Sequence, residues 1–304
     1  MKPKIIVILG ATSTGKSDLA VKIAKKWSGE VISADSRQVY KGLNLGTGKI
    51  TKKEMQGVPH HLLDVVNPKN KFTVTKYQML TNFTIVNILK KEKIPIICGG
   101  AGFYIDAVIN NVVFPKVPPN KKLRKILEKQ SVEKLLKTLL KLDKKRAEDI
   151  LEKNEQNNKV RLVRAIEIAK ALGEIPHLET KPSNYHFIKI GLKLDDKKLK
   201  EKIKDRLITR IKKGMLKEAQ NLHKKGLSFK CMREIGLEYR YMALYLENKI
   251  TKPEMLEQLT NEINHYAKRQ TTWFKRDPEI VWFNPKDIKK IEKYIKKELK
   301  NNNK

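Results

Sequence analysis

Gly10-Ala11-Thr12-Ser13-Thr14-Gly15-Lys16-Ser17 follows the apolar run Ile5–Leu9 and precedes a helical period at Leu19, Ala20, Ile23, Ala24 and Trp27. It fits the phosphate-loop pattern G-x-x-x-x-G-K-[ST] at every fixed position. In that pattern glycines let the backbone wrap an anion, and successive amides plus a helix N-terminus supply donors and partial positive charge. Lys16 can reach terminal phosphate oxygens, and Ser17 can hold a hydrated Mg²⁺. The expectation is a di- or triphosphate cradle made by Gly10, Ala11, Thr12, Ser13, Thr14, Gly15, Lys16 and Ser17; the alternative is an ordinary glycine turn.

Working outward, Ile5–Leu9 is β-rich and continuously apolar, as a strand buried on both faces should be. Further apolar stretches at Val31–Ala34, Leu62–Val66 and Ile94–Cys98 alternate with helical periods, one of them over Lys76–Lys91. That alternation predicts a parallel sheet with right-handed crossovers. The texture changes at the proline-rich Phe114-Pro115-Lys116-Val117-Pro118-Pro119 and stays helical until Lys181-Pro182, with Gly173 a helix stop. Phe187–Leu194 alternates like a strand returning to the sheet, and helices follow, with a short strand near Ile280–Phe283 and a packed helix on Ile288, Ile291, Ile295 and Leu299. The fold class is therefore α/β: a P-loop NTPase-like parallel sheet flanked by helices, residues 1–114 and 186–304, with an all-helical insertion at 115–185. Asn301-Asn302-Asn303-Lys304 reads as a frayed tail.

The 304 residues carry 66 Lys plus Arg against 33 Asp plus Glu, a net charge of +33. Self-repulsion on that scale points to a polyanionic partner. Only 11 of the 66 are Arg, however, and the Lys excess fits background bias as well as RNA binding. Cys98 and Cys231 are too few for a disulfide framework or a Cys-based zinc site. The apolar start is too short for a signal peptide or a membrane span, so a soluble cytoplasmic protein with no membrane segment is expected.

A cradle does not name a reaction. A GTPase would need an N-K-x-D element, which the sequence lacks after the loop. An ATPase would want an acidic strand end, for which Asp64 could serve. A small-molecule kinase would need a base beside its acceptor, for which Asp35 could serve. In an open parallel sheet the carboxyl ends of neighbouring strands share one crevice, so Asp35 should lie near the cradle. Asp35 could instead cap a helix or pair with Arg37. His60 and His61 lack structural-zinc spacing and are expected to serve packing or backbone hydrogen bonds.

The chain as a whole resembles the tRNA dimethylallyltransferase (tRNA isopentenyltransferase) family. The resemblance rests on the cradle, on Ala34-Asp35-Ser36-Arg37-Gln38-Val39-Tyr40, on Gly46-Thr47-Gly48-Lys49 and on Pro59-His60-His61-Leu62-Leu63-Asp64. It continues through Gly99-Gly100-Ala101-Gly102-Phe103-Tyr104, Val160-Arg161-Leu162-Val163-Arg164-Ala165-Ile166-Glu167 and Ala267-Lys268-Arg269-Gln270-Thr271-Thr272-Trp273-Phe274. These occur in family order over nearly the whole chain. The resemblance implies transfer from dimethylallyl diphosphate to N6 of the adenosine just 3′ of a tRNA anticodon, releasing diphosphate, with Mg²⁺ as cofactor. It implies Asp35 as catalytic base, and Arg206 and Arg210 as diphosphate contacts beside the cradle. It further implies anticodon stem-loop contacts at Asp35, Ser36, Arg37, Gln38, Ala101, Arg124, Val160, Arg161, Leu162, Val163, Arg164, Lys268, Arg269 and Gln270. The sequence does not reveal the oligomeric state, and a monomer taking one tRNA is the default expectation.

Departures are Ala101, where the family usually has Thr, Ala11, where it commonly has Pro, and Arg233–Arg240, which only partly fits a family segment. The competing readings are a P-loop small-molecule kinase and a non-enzymatic RNA-binding protein with a vestigial loop.

Overall fold

In the computed structural model, which describes residues 2–301, strand β1 (Lys4–Gly10) runs into the cradle and helix α1 (Lys16–Lys26) leaves it. The chain continues through β2 (Gly29–Ala34), the single turn α2 (Lys52–Met55), β3 (His60–His61), α3 (Val74–Leu89), β4 (Ile94–Gly99) and α4 (Gly102–Ile109). Next come β5 (Val112–Val113), α5 (Lys121–Leu127), α6 (Val132–Leu142), α7 (Lys144–Glu152), α8 (Lys159–Leu172) and β6 (Glu179–Thr180). Then follow β7 (His186–Leu192), α9 (Asp196–Lys212), α10 (Met215–Lys224), α11 (Phe229–Ile235) and α12 (Leu237–Leu246). The chain closes with α13 (Lys252–Phe274), β8 (Val281–Phe283) and α14 (Ile288–Lys300). Asn301 caps α14, and the rest of the expected tail, residues 302–304, lies outside the described residues.

Among the described residues six strands form one sheet in the order β3-β2-β4-β1-β7-β8, every pairing parallel. The period-2 alternation of β1 divides the core. Ile5, Val7 and Leu9 face a layer with Tyr77, Ile85 and Ile105, while Ile6 and Ile8 face Leu19, Ile23, Ile291 and Ile295. Both faces are covered, which is why β1 carries no polar residue between Ile5 and Leu9. A third cluster joins α9–α13 to Val39, Tyr40 and Leu43, and so anchors the loop that follows Asp35.

One expected strand is absent. His60–His61, not Leu62–Val66, pairs with β2, through Val31↔His60 and Ile32↔His61. Leu62 and Asp64 adopt positive φ, +61° and +55°, which ends the extended run, and Val66 only bridges Tyr40. His60 Nδ1 lies 2.8 Å from the Val58 carbonyl, and His61 Nε2 lies 2.7 Å from buried Glu30.

The chain divides into two units, Met1–Asn111 with Pro182–Lys304, and Val112–Lys181. The second is helical apart from the β5–β6 ribbon, where Val112 pairs with Thr180. Its core is Leu127, Leu135, Leu139, Ala147, Ile150, Leu162 and Ile166, and Gly173 at φ +84° ends α8. Among the described residues no helix is long and apolar enough to cross a membrane.

Candidate active site

Sheet register brings four strand ends to one crevice: Leu9 pairs with Gly99, Ala34 pairs with Gly99, and Gly10 pairs with Leu192. At Gly10 the chain turns with φ +140°, and a Cβ there would lie 2.5 Å from the Leu192 carbonyl oxygen, so only glycine fits. Ser13 is held at φ +62°, a conformation that L-residues adopt at a cost of about 1 kcal/mol and that is common at ligand-binding turns. Thr14 Oγ1 donates to the Ala11 carbonyl at 2.8 Å and Lys16 Nζ donates to the same oxygen at 2.6 Å. Burial, reinforced by the like charge of Arg206, lowers the Lys16 ammonium to about 8. A desolvated ammonium whose bonded partner here is a neutral carbonyl is poised for an anion.

Asp35 is the first residue beyond β2. Its Oδ1 accepts the Arg37 amide at 2.8 Å and the Gln38 amide at 3.2 Å, an Asx turn that leaves Oδ2 for an incoming proton donor. Asp35 lines a cavity of about 420 Å³ together with Thr12, Lys16, Ser17, Gln38 and Arg206. Cradle, aspartate and arginine therefore meet in one space, as the strand-end argument requires. Ser36 is half-buried and Arg37 exposed. Asp64, the alternative acidic strand end, does not line this cavity; it accepts from Lys49 Nζ at 2.6 Å.

Arg206 and Arg210, one helical turn apart on α9, part company. Arg206 NH1 donates to Thr12 Oγ1 at 3.2 Å and its NH2 to the Gly48 carbonyl at 3.0 Å, both neutral acceptors. Arg210 is buried behind it, donating to the Gly46 carbonyl at 3.0 Å and to Glu238 Oε1 at 3.1 Å.

Gln270 separates from its sequence neighbours. Lys268 and Arg269 are exposed, but Gln270 is buried on α13 and turns inward. Its Oε1 accepts the Thr12 amide at 2.8 Å and its Nε2 donates to the Gly100 carbonyl at 2.8 Å, tying the cradle to the glycine turn after β4. Trp273 Nε1 donates to Asp106 at 2.8 Å. Ala101 is the N-cap of α4 and provides no side-chain cap there.

Among the described residues no group of three His, Cys, Asp or Glu forms a protein-only metal cage. The cavity is lined instead by Ser17 with Asp18, Asp35 and Asp205, while Glu54 Oε2 is taken by the Thr51 amide and hydroxyl. Those hard oxygen donors fit a Mg²⁺ ion, which keeps several waters and takes few protein ligands when phosphates complete its shell.

In the helical unit, buried Glu167 organises the candidate RNA residues. It accepts from Arg124 Nε at 2.8 Å and NH2 at 2.6 Å, from the Asn120 amide at 2.6 Å, and from Arg164. Burial works to raise the Glu167 carboxyl, but these donors prevail and hold it at about 2. Arg164 also donates to the Val117 carbonyl at 2.9 Å. Leu162 and Val163 pack in the core, whereas Val160 is 81% exposed and Arg161 is paired with Glu155. Sequence reasoning named Glu167 only as the last residue of the Val160–Glu167 stretch, with no role, and did not single out Glu218, because a Glu on a helix carries no local signature.

The sequence model of the IPP transferase family matches residues 38–277. The chain is 36% identical over 291 residues to the tRNA dimethylallyltransferase of Anoxybacillus flavithermus, covering 94% of this chain and 92% of the relative. Among solved structures it is similar to the full-length tRNA isopentenylpyrophosphate transferase of Bacillus halodurans, with a TM-score of 0.74, 33% identity, and coverage of 98% of this chain and 97% of the other. A eukaryotic dimethylallyltransferase captured acting on tRNA aligns with a TM-score of 0.77 at 25% identity, covering 98% of this chain and 77% of that one.

Proposed function

Because the chain belongs to the IPP transferase family, we propose that it transfers a dimethylallyl group from dimethylallyl diphosphate to N6 of the adenosine just 3′ of a tRNA anticodon. The observation that carries this reading is Asp35 and the anion cradle facing one cavity, with Arg206 across it. The cradle amides, Lys16 and Arg206 take the diphosphate. The adenosine N6 attacks the allylic carbon: the N–C bond forms, the C–O bond to diphosphate breaks, and the N6 proton passes to Asp35. An exocyclic amine is a poor nucleophile, so accepting that proton as the bond forms is worth roughly 10²–10⁴-fold. Charge grows on the departing diphosphate, and fixed donors aimed at it stabilise the transition state more than the ground state. Ser17 would hold Mg²⁺, which would further neutralise the charge growing on the diphosphate.

The acceptor base has to leave its stack, at a cost of a few kcal/mol. Contacts from Ser36, Arg37, Gln38, Lys268 and Arg269, and from Arg124, Val160, Arg161 and Arg164 of the helical unit, offset that cost. The net charge of +33 suits a polyanion. A cytoplasmic monomer taking one tRNA is the assembly proposed. A small-molecule kinase would share the cradle and the aspartate, but the matched family is that of IPP transferases and the relative is a tRNA dimethylallyltransferase, neither of them a kinase. The test is label transfer from radiolabelled dimethylallyl diphosphate to an unmodified anticodon stem-loop. Label in the RNA with release of diphosphate supports the reading; phosphate release from ATP to a small acceptor would replace it with the kinase.

A further inference from the structure

The stretch Gly46-Thr47-Gly48-Lys49 has no role in the chemistry above, yet the structure grips it from both sides. The Glu218 carboxylate, on α10, accepts the amides of Asn44 at 3.1 Å, Leu45 at 2.8 Å and Gly46 at 2.9 Å. It also accepts the hydroxyl of Tyr239, on α12, at 2.6 Å. An ionised carboxylate has about four acceptor sites, and these four donors use them. From the other side, Arg210 donates to the carbonyls of Leu45 and Gly46 at 3.2 and 3.0 Å, itself held by Glu238. Tyr239 is buried and its ring closes on Gly46, where a Cβ would lie 2.5 Å from the ring.

The loop so held ends in a contact with Arg206. Gly48 has φ +59°, and its carbonyl accepts Arg206 NH2 at 3.0 Å. A Cβ on Gly48 would lie 2.4 Å from that same NH2, so the loop shapes the seat of the guanidinium by contact as well as by hydrogen bond. The other end of the fork rests on Thr12 Oγ1 of the cradle at 3.2 Å. A flexible side chain is thus held at the cavity wall by neutral hydrogen-bond acceptors at both ends, with no carboxylate bonded to it. Fixing rotamer freedom before the ligand arrives lowers the cost of binding.

We propose that Glu218 is a positioning residue for diphosphate binding: with Tyr239 it fixes the Asn44–Gly48 loop as the seat that holds Arg206 in the cavity. This rests on the reading of the cavity as a diphosphate site. In a Glu218→Gln variant the amide NH₂ must face at least one backbone N–H, that of Gly46 or those of Asn44 and Leu45, so the loop loosens and Arg206 loses its seat. Tyr239→Phe removes one of the four donors and is the milder perturbation.

The test is calorimetric titration of inorganic pyrophosphate into wild type, E218Q, Y239F, R206Q and the E218Q/R206Q double variant, beside thermal melts and tRNA binding. The expected result is roughly tenfold weaker pyrophosphate binding for E218Q, about threefold for Y239F, and unchanged tRNA affinity. The double variant should be no weaker than R206Q alone, because Glu218 acts through Arg206. Wild-type affinity in E218Q, or full additivity in the double variant, would overturn the proposal. If E218Q fails to fold, Y239F with R206Q gives the same cycle. Wild type that binds no pyrophosphate would instead sink the diphosphate reading itself, whereas pyrophosphate binding without prenyl transfer leaves the seat standing and sinks only the reaction.

Discussion

The cradle end of the sheet and the helical unit both gather positive charge, but they hold it in opposite ways. Around the cavity Lys16 and Arg206 are bonded to neutral acceptors, and burial, first among the causes, pushes both below their ordinary pKa values. In the helical unit Arg124 and Arg164 are tied to a buried carboxylate, and Arg124 is raised by its hydrogen bonds to Glu167. The first arrangement leaves Lys16 and Arg206 without a bonded counter-charge, ready for an anion to supply one. The second satisfies its charge internally, fixing the arginines in place while leaving a net positive cluster at the surface. The comparison teaches that the same residue type marks a ligand site in one place and a structural lock with an outward face in the other.

The largest effect that separates the two regions is at Asp35. Asp35→Ala should lower the transfer rate by roughly 10³-fold with tRNA affinity retained, read by single-turnover transfer beside filter binding. Equal loss of both would mean that Asp35 belongs to RNA recognition and not to proton transfer.

Glu167→Ala sharpens the other side. Breaking a buried pair by removing one partner costs about 3–5 kcal/mol, here leaving two arginines uncompensated. A lower-temperature melting transition confined to the helical unit is expected, with pyrophosphate affinity unchanged. Because Glu167 is held at about 2, below its unfolded value of 4.5, its contribution is present above about pH 4.5 and is lost as pH falls toward 2. Melts of the wild type across that window check the sign.

Lys16→Met tests the desolvated, unpaired ammonium. Pyrophosphate affinity should drop by about 10²-fold while the melting temperature at pH 7 rises, since an unfavourably desolvated charge is gone. Wild-type affinity should also weaken as pH climbs through about 8, where the free Lys16 ammonium gives up its proton. A Lys16 serving only the fold would show neither behaviour.

How legible the two regions are in the sequence follows the same divide. The cradle is readable because its function lies in backbone geometry, and Gly10, Gly15, Lys16 and Ser17 are forced by that geometry within eight consecutive positions. The parallel strands are readable for a related reason, since two-sided burial leaves continuous apolar runs such as Ile5–Leu9. Leu62–Val66 misleads because left-handed turns at Leu62 and Asp64 carry no glycine to announce them. Gln270 looks like a member of a basic RNA-facing run, yet the helical period turns it toward the cradle while Lys268 and Arg269 point outward. Glu218 and Glu167 are invisible for another reason. Apart from Arg164, three residues from Glu167, and Tyr239, 21 residues from Glu218, their partners lie 43–47 and 172–174 residues away in the chain, so the fold has to bring them together.

The smallest effect belongs to the exposed cations. Lys268→Ala should weaken tRNA binding only about threefold and lower the slope of log affinity against log salt by about 1. An unchanged slope would remove Lys268 from the RNA face.

The most direct test of the account is a transfer assay with radiolabelled dimethylallyl diphosphate, Mg²⁺ and an unmodified anticodon stem-loop, run on wild type and Asp35→Ala. The account predicts label on the adenosine 3′ of the anticodon with wild type only, with stoichiometric diphosphate release and equal RNA binding by both proteins. Equal labelling by both proteins, or no labelling by a folded wild type that binds both substrates, would contradict it.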